Sequence, residues 1–168
     1  MLSIIIPAYN EEKRIGKTLR IIIEYLKKIY MDYEIIIVID KGKDNTEGIV
    51  EEFSKKDKRI RTIINPKKKG KGYALRQGIL ASKGELVLFD DADTSTSITE
   101  LDTFLEKIKK YDIVIGSREH KESKVKSKWL SRKILGKAGN ILLRMFLIRK
   151  IKDTQCGFKL FRGNIARK

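Results

Sequence analysis

Five short runs of Ile- and Val-rich residues, each followed by a polar turn and, in four cases, by a stretch with helical spacing, constrain this chain more than any other feature. LSIII (2–6), YEIIIVI (33–39), RIRTII (59–64), ELVLF (85–89) and DIVIG (112–116) are apolar on both faces. That is the pattern of strands in a sheet covered on both sides. Between them the spacing predicts helices over about 11–30, 45–57, 71–82 and 98–110, the last with Ser97 or Thr99 as N-cap and Glu100 in its first turn. Strand and helix in alternation require crossovers, so the expected fold class is α/β, a doubly wound, mostly parallel sheet flanked by helices. The closing DTQCGFKLFRGNIARK adds a loop, a sixth strand over 157–162 and the start of a helix.

In such sheets ligands bind at the carboxyl ends of the strands. The segments found there are PAYNEE, DKGKDNT, NPKKKGKG, DDADTSTS and SREHKESK, so polar and chargeable groups collect along one edge. The prolines, Pro7 and Pro66, both stand at strand ends. No repeat or low-complexity linker divides the chain, and 168 residues with 41% hydrophobic content suffice for one core. A single domain over 1–168 is expected. Its formal charge of +16 is unevenly placed: residues 118–168 hold 16 Lys and Arg against 3 Asp and Glu, which leaves only +3 for residues 1–117. The expected division is therefore a ligand-binding part over 1–117 and a basic part over 118–168. Cys156 is the one cysteine, which removes any disulfide framework and points to a reducing compartment, the cytosol by default. Met1 is followed by LSIIIPAYNEE, too short an apolar run for a signal peptide and without a basic start. No stretch reaches the ~20 apolar residues that cross a bilayer.

Asp90, Asp91 and Asp93 crowd three acids into four residues at the end of a buried strand. Three readings compete. They are solvated loop and cap residues; or they hold a hard divalent cation, which takes one or two carboxylates and completes its shell with water and phosphate oxygens; or two of them share a proton in acid and base chemistry. PKKKGKG (66–72) sets four lysines among two glycines and can bring backbone N–H groups and ammonium charges to an anion, although it lacks P-loop spacing. Alone it reads as a solvated basic turn. A cation site and a basic glycine loop at one sheet edge together fit a nucleoside diphosphate.

SIIIPAYNEE, VIDKGKDNT, NPKKKGKGYALRQGI, FDDAD, IVIGSRE and DTQCGFKLFR, in this order, resemble the family 2 inverting glycosyltransferases of the GT-A fold, and within them the dolichyl-phosphate sugar synthases. The resemblance covers essentially the whole chain. DTQCGFKLFR in particular resembles the dolichyl-phosphate β-glucosyltransferases. It implies nucleotide-sugar contacts for Pro7, Tyr9 and Glu11 of the PxYxE pattern, for Val38 and Asp40 at the base and ribose, for Lys71 of the glycine loop, for Asp91, Ala92 and Asp93 of the DAD, and for Ser95 just after it. Asp91 and Asp93 would face a metal, Mg²⁺ or Mn²⁺. Arg118, Arg132 and Lys137 would hold an acceptor phosphate, and Asp93, Arg118 and Arg132 are the expected catalytic residues. Two departures bear on the donor. VIDKGKDNT stands where the family reads VDDGSxDxT, with Ile39 and Lys41 replacing an acid and a glycine, and Ser95 stands where mannosyl-transferring relatives carry Gln. The first leaves the base contact resting on Asp40, and the second favours UDP-sugars over GDP-mannose; the expected reaction is transfer of glucose from UDP-glucose to dolichyl or polyprenyl phosphate, with GDP-mannose or UDP-GlcNAc as alternative donors and a saccharide as alternative acceptor. The resemblance predicts a further helix, and in many relatives membrane segments, beyond Lys168.

VKSKWLSRKILGKAGNILLRMFLIRKIK (125–152) pairs apolar residues such as Trp129, Leu135 and Phe146 with Lys128, Arg132, Lys137 and Arg144. The pattern suits an anionic bilayer surface and equally a core-packing helix with a solvated basic face. With a lipid-phosphate acceptor the two are compatible, and the expected location is cytoplasmic, peripheral to the membrane. A pI near 9.9 is also the footprint of a nucleic-acid-binding protein, the rival class. No recognisable nucleic-acid module is visible and aromatics are sparse in the basic stretches, so no nucleic acid is expected. His120 is the one histidine, which excludes a His-rich zinc site, and Cys156 reads as a small buried side chain rather than a nucleophile.

Overall fold

Strand β1 (Leu2–Ala8) takes the middle of the sheet because it is apolar on both faces apart from Ser3, and Ser3 is buried with its hydroxyl donated to Glu34 at 2.6 Å. The computed structural model describes residues 1–117, 153 and 156–168. After β1 come α1 (Ile15–Lys28), β2 (Tyr33–Asp40), α2 (Thr46–Lys56), β3 (Ile60–Asn65), α3 (Lys71–Ala81) and β4 (Leu86–Phe89). A 3₁₀ turn (Ile98–Glu100), α4 (Leu101–Lys107), β5 (Ile113–Ile115), β6 (Lys159–Arg162) and one helical turn (Gly163–Ala166) follow. The sheet order is β3-β2-β1-β4-β6-β5. β1 pairs in parallel with β2 and β4, and β2 with β3, whereas β6 runs antiparallel to β4 with Phe89 opposite Lys159. The expected mostly parallel α/β sheet is present.

Alternation along the strands decides what each helix covers. Ile5, Ile36, Val38 and Val87 share one sheet face and pack with Ala74 of α3. Glycine at 78 permits that closeness, since a Cβ there would run into Ile5. Two further residues along β2 on the same face stands Asp40, where α3 has ended and its preceding loop begins.

The predicted elements match with shifts at their ends. α1 starts at Ile15 rather than 11, because residues 11–14 form a turn in which the amides of Arg14 and Ile15 both bond to the Glu11 carbonyl. The predicted helix over 98–110 opens as a 3₁₀ turn, and the Ser97 hydroxyl pairs with that of Thr99 at 2.8 Å, leaving no side-chain cap. The chain forms two compact units, Met1–Val114 with Gly157–Lys168, and Ile115–Cys156. Residues 157–168 belong to the first because β6 completes the hydrogen bonding of β4, and Phe158 packs edge-on against Phe104 at 5.0 Å. Within the second, Cys156 is buried. Arg118, Arg132, Lys137, His120 and the basic stretch 125–152 lie outside the described residues. No helix among the described residues is long and apolar enough to cross a membrane.

Candidate active site

The strand order reverses between β1 and β4, and at such a switch point the loops on the two sides diverge and leave a crevice. A cavity of about 370 Å³ occupies it. Pro7 enters its wall from the end of β1, Tyr9 and Glu11 from the loop after it, Asp40 from the end of β2, Lys71 from the first turn of α3, and Asp91, Ala92 and Asp93 from the loop after β4. Val38 and Ser95 do not reach it. Val38 is fully buried beneath α3 and offers no surface to a nucleobase. Lys68 and Gly70 also line the cavity without having been singled out. Lys68 lies over the Tyr9 ring at 4.2 Å, and nothing in a run of three lysines distinguishes it from its neighbours.

On the β2 side, Asp40 is 3% exposed yet fully bonded. Its Oδ1 accepts from the Asn65 amide at 2.9 Å, and its Oδ2 from the N–H groups of Lys69 and Gly70 at 2.8 and 2.7 Å. Burial pushes the carboxyl up, but the Gly70 N–H, the Asn65 amide, the Lys69 N–H and the Lys68 charge outweigh it and hold Asp40 below the ordinary value. Asp40 is thus the post to which the basic loop is tied. Gly70, at φ 92°, makes the left-handed turn that α3 starts from, a conformation in which a side chain is strained. The loops after β1 and β2 brace one another as well. The amides of Glu11 and Glu12 donate to Thr46 Oγ1 and Asp44 Oδ2 at 2.8 and 2.9 Å, and the Asn45 amide returns a bond to Glu12. Arg14 grips the Glu11 carboxylate with two bonds of 2.6 and 2.8 Å.

On the β4 side, strand alternation separates the acids. The Asp90 amide continues the ladder by donating to Ile5 at 3.1 Å, so Asp91 falls on the α3 face and Asp90 on the other. Lys71 Nζ donates to Asp91 Oδ1 at 2.5 Å, joining the start of α3 to the end of β4. Asp90 is 3% exposed, so it is buried, not solvated. Burial pushes its carboxyl up to about 8; the Asp91 N–H opposes the rise, the charges of Asp91 and Asp93 add to it, and that of Lys71 lowers it. Near neutral pH Asp90 is therefore mostly protonated and adds little charge of its own to the cluster. Asp93 Oδ1 accepts from the Ser95 amide at 3.0 Å and from the Ser95 hydroxyl, a tight turn with Thr94 at φ 56°. Thr18 of α1 pins the same loop, donating its hydroxyl to the Ala92 carbonyl at 2.7 Å.

This donor set can be tested against a divalent cation. Among the described residues no three His, Cys, Asp or Glu form a closed metal cage. Asp91 and Asp93 on the cavity wall, with room for water and phosphate oxygens beside them, are the open two-carboxylate set that a hard cation bound together with a diphosphate uses. The residues fit such an ion.

Known proteins resemble this chain over nearly its whole length. A dolichyl-phosphate beta-glucosyltransferase of Trichomonas vaginalis is 42% identical over 98% of this chain and 52% of its own length. The Homo sapiens protein of the same name is 34% identical over 98% of this chain and 56% of its own. The chain thus spans about half the length of the curated relatives it matches. Among solved structures, glucosyl-3-phosphoglycerate synthase from Mycobacterium tuberculosis, in complex with Mn²⁺, UDP-glucose and phosphoglyceric acid, superposes with a TM-score of 0.69 at 18% identity, over 98% of this chain and 57% of that one, a likeness of fold. The sequence profile of Glycosyl transferase family 2 matches residues 3–168, and the chain belongs to that family.

Proposed function

We propose that this chain binds a nucleotide sugar, UDP-glucose, in the cavity at the β1–β4 switch point and transfers the glucose with inversion to dolichyl or polyprenyl phosphate. The observation that carries the reading is the convergence of an aromatic face at Tyr9, the lysines of the glycine loop and the carboxylates Asp91 and Asp93 on one cavity. The activity for which the relatives are named, dolichyl-phosphate beta-glucosyltransferase, supports the sugar and the acceptor.

Each residue has a task in this scheme. Tyr9 offers a ring face to the nucleobase. Lys71 and the N-terminal turn of α3 place an ammonium and backbone N–H groups where the diphosphate would lie. Asp91 and Asp93 would hold Mg²⁺ or Mn²⁺, which when bound supplies Lewis acidity and neutralises charge on the departing nucleotide. The acceptor phosphate is an anion near neutral pH and needs no strong base, which leaves Asp93 as a base only for a hydroxyl acceptor. Arg118, Arg132 and Lys137 would grip the acceptor phosphate by charge-assisted hydrogen bonds and present its oxygen in line. The basic stretch 125–152 would bring the protein to the anionic, cytoplasmic face of a membrane.

The test is a transfer assay on the full-length protein with radiolabelled UDP-glucose, UDP-GlcNAc and GDP-mannose, polyprenyl phosphate as acceptor, with and without Mg²⁺ or Mn²⁺. Lipid-linked glucose that needs the metal and disappears in Asp91→Ala is the expected result. No lipid-linked sugar from any donor, together with metal-dependent nucleotide binding that survives Asp91→Ala, overturns the reading. Co-sedimentation with anionic liposomes against duplex DNA separates the membrane from a nucleic acid.

A further inference from the structure

We propose that Gly157 is a positioning residue for Asp91: with no side chain at 157, the backbone after Cys156 closes directly on the Asp91 carboxylate and fixes its direction. A Cβ built at Gly157 would overlap that carboxylate, and its three nearest atoms all belong to Asp91. Gly157 is not among the positive-φ glycines of the described residues, so what excludes a side chain there is the close approach and not the backbone conformation.

The approach is fixed from both sides. Phe158, the next residue, is fully buried against Phe104, and Lys159 and Leu160 continue into the pairing with β4. The backbone at 157 therefore cannot withdraw without unpacking β6. Across the carboxylate, Lys71 Nζ donates to Oδ1 at 2.5 Å. Asp91 is thus held between the start of α3 and the start of β6. The contrast with two other glycines is instructive: a Cβ at Gly84 would meet the Ser3 amide and the Leu86 carbonyl, and one at Gly163 the Gly84 carbonyl, all backbone that cannot move aside. At Gly157 the obstacle is the end of a side chain, which can rotate. A methyl group there is expected to turn Asp91 away from the cavity and leave the fold standing.

This inference rests on the reading that Asp91 holds the cation, and its test keeps the two apart. Mn²⁺ is titrated into the full chain in the presence of UDP, with the free ion followed by EPR, for the parent, Gly157→Ala, Asp91→Ala, Asp91→Asn and the double variant Gly157→Ala/Asp91→Asn. Residues that orient a metal ligand typically set affinity by about 10- to 100-fold, and Gly157→Ala is expected to weaken Mn²⁺ binding in that range. Its thermal midpoint without metal should stay within about 2 °C of the parent. Because Gly157 acts through Asp91, adding Gly157→Ala to Asp91→Asn should cost no further affinity. If Asp91→Ala abolishes binding but Gly157→Ala keeps the parent affinity, the inference fails and the cation reading stands. A large fall in the midpoint of Gly157→Ala, or an additive loss in the double variant, assigns Gly157 to packing and also overturns it. A parent that binds no Mn²⁺, or an Asp91→Ala variant that binds it as the parent does, overturns both.

Discussion

Asp40 and Asp90 end the two strands that flank β1, and each is 3% exposed, yet their carboxyls move in opposite directions. Burial pushes both up. Asp40 meets three donors, from Asn65, Lys69 and Gly70, and ends below its ordinary value. Asp90 has the Asp91 N–H and the more distant Lys71 charge on its side, against two neighbouring carboxylates, and is pushed up to about 8. Depth in the protein does not set the charge of a buried acid; the donors brought to it do. One side of the site is thereby built around a fixed anion that organises a loop, and the other around a mostly neutral acid that adds little charge of its own to a cluster.

The largest expected effect breaks the β2 side. Asp40→Ala strands the amides of Lys69 and Gly70 and the Asn65 side chain, at a cost of about 3 kcal/mol in denaturant unfolding. It also unties the loop before α3, so UDP binding measured by calorimetry should weaken more than tenfold. Full UDP affinity in a destabilised Asp40→Ala would show that the loop does not depend on its post.

Asp90 predicts the next effect, with the opposite pH sign. A folded value of about 8, above the ordinary 3.8, means that the native state holds this proton more tightly than the unfolded chain. Stability from this group is present below about pH 4 and is lost as pH rises to about 8. Asp40, held below its ordinary value, contributes stability above that value and loses it as pH falls. In EDTA, Asp90→Asn should remove the loss on the alkaline side, so that its advantage over the parent is clearly larger at pH 8.5 than at pH 4.5. Urea unfolding at the two pH values checks it, and an equal difference at both would sink the assignment.

The same contrast shows what the sequence could reveal. β1 and β2 are legible because runs of Ile cannot face water on either side, and α3 because a helical pattern opens at the end of the basic glycine loop. The antiparallel entry of β6 was not, since KLFR pairs equally well in either direction and only the fold places it beside β4. In the site, the resemblance sets Asp91 and Asp93 apart from Asp90, but nothing in the sequence shows that Asp90 is covered. Val38 illustrates the limit: it shares a face with Asp40 two residues later, yet α3 covers one and stops short of the other. Ser95, read as a donor-facing position, turns back onto Asp93 through a local bond that the sequence does not announce.

A smaller effect sharpens the β4 side. Thr18 supplies a buried side-chain donor to the loop of the DAD, at the Ala92 carbonyl. Thr18→Val keeps the shape and removes the donor, for an expected loss of about 1 kcal/mol, with faster exchange of the amides at 92–95. The loss should be well below that of Asp40→Ala, because the backbone bond from Asp90 to Ile5 remains.

The smallest effect falls on Lys68, which belongs to both halves of the comparison. Its charge helps hold Asp40 ionised, and its ammonium lies 4.2 Å from the centre of the Tyr9 ring. Lys68→Met keeps the length and apolar stem and removes the charge, so an exposed cation–π contact and a distant charge interaction are lost, together about 0.5 kcal/mol. If the lysine serves Asp40, the acid limb of the stability curve moves to higher pH and UDP affinity is unchanged. If it serves the cavity, UDP binding weakens several-fold and the salt dependence of that binding falls, while the acid limb stays in place. Because Asn65, Lys69 and Gly70 already satisfy Asp40, we expect the second pattern, and a displaced acid limb with unaltered UDP affinity would return Lys68 to the β2 side.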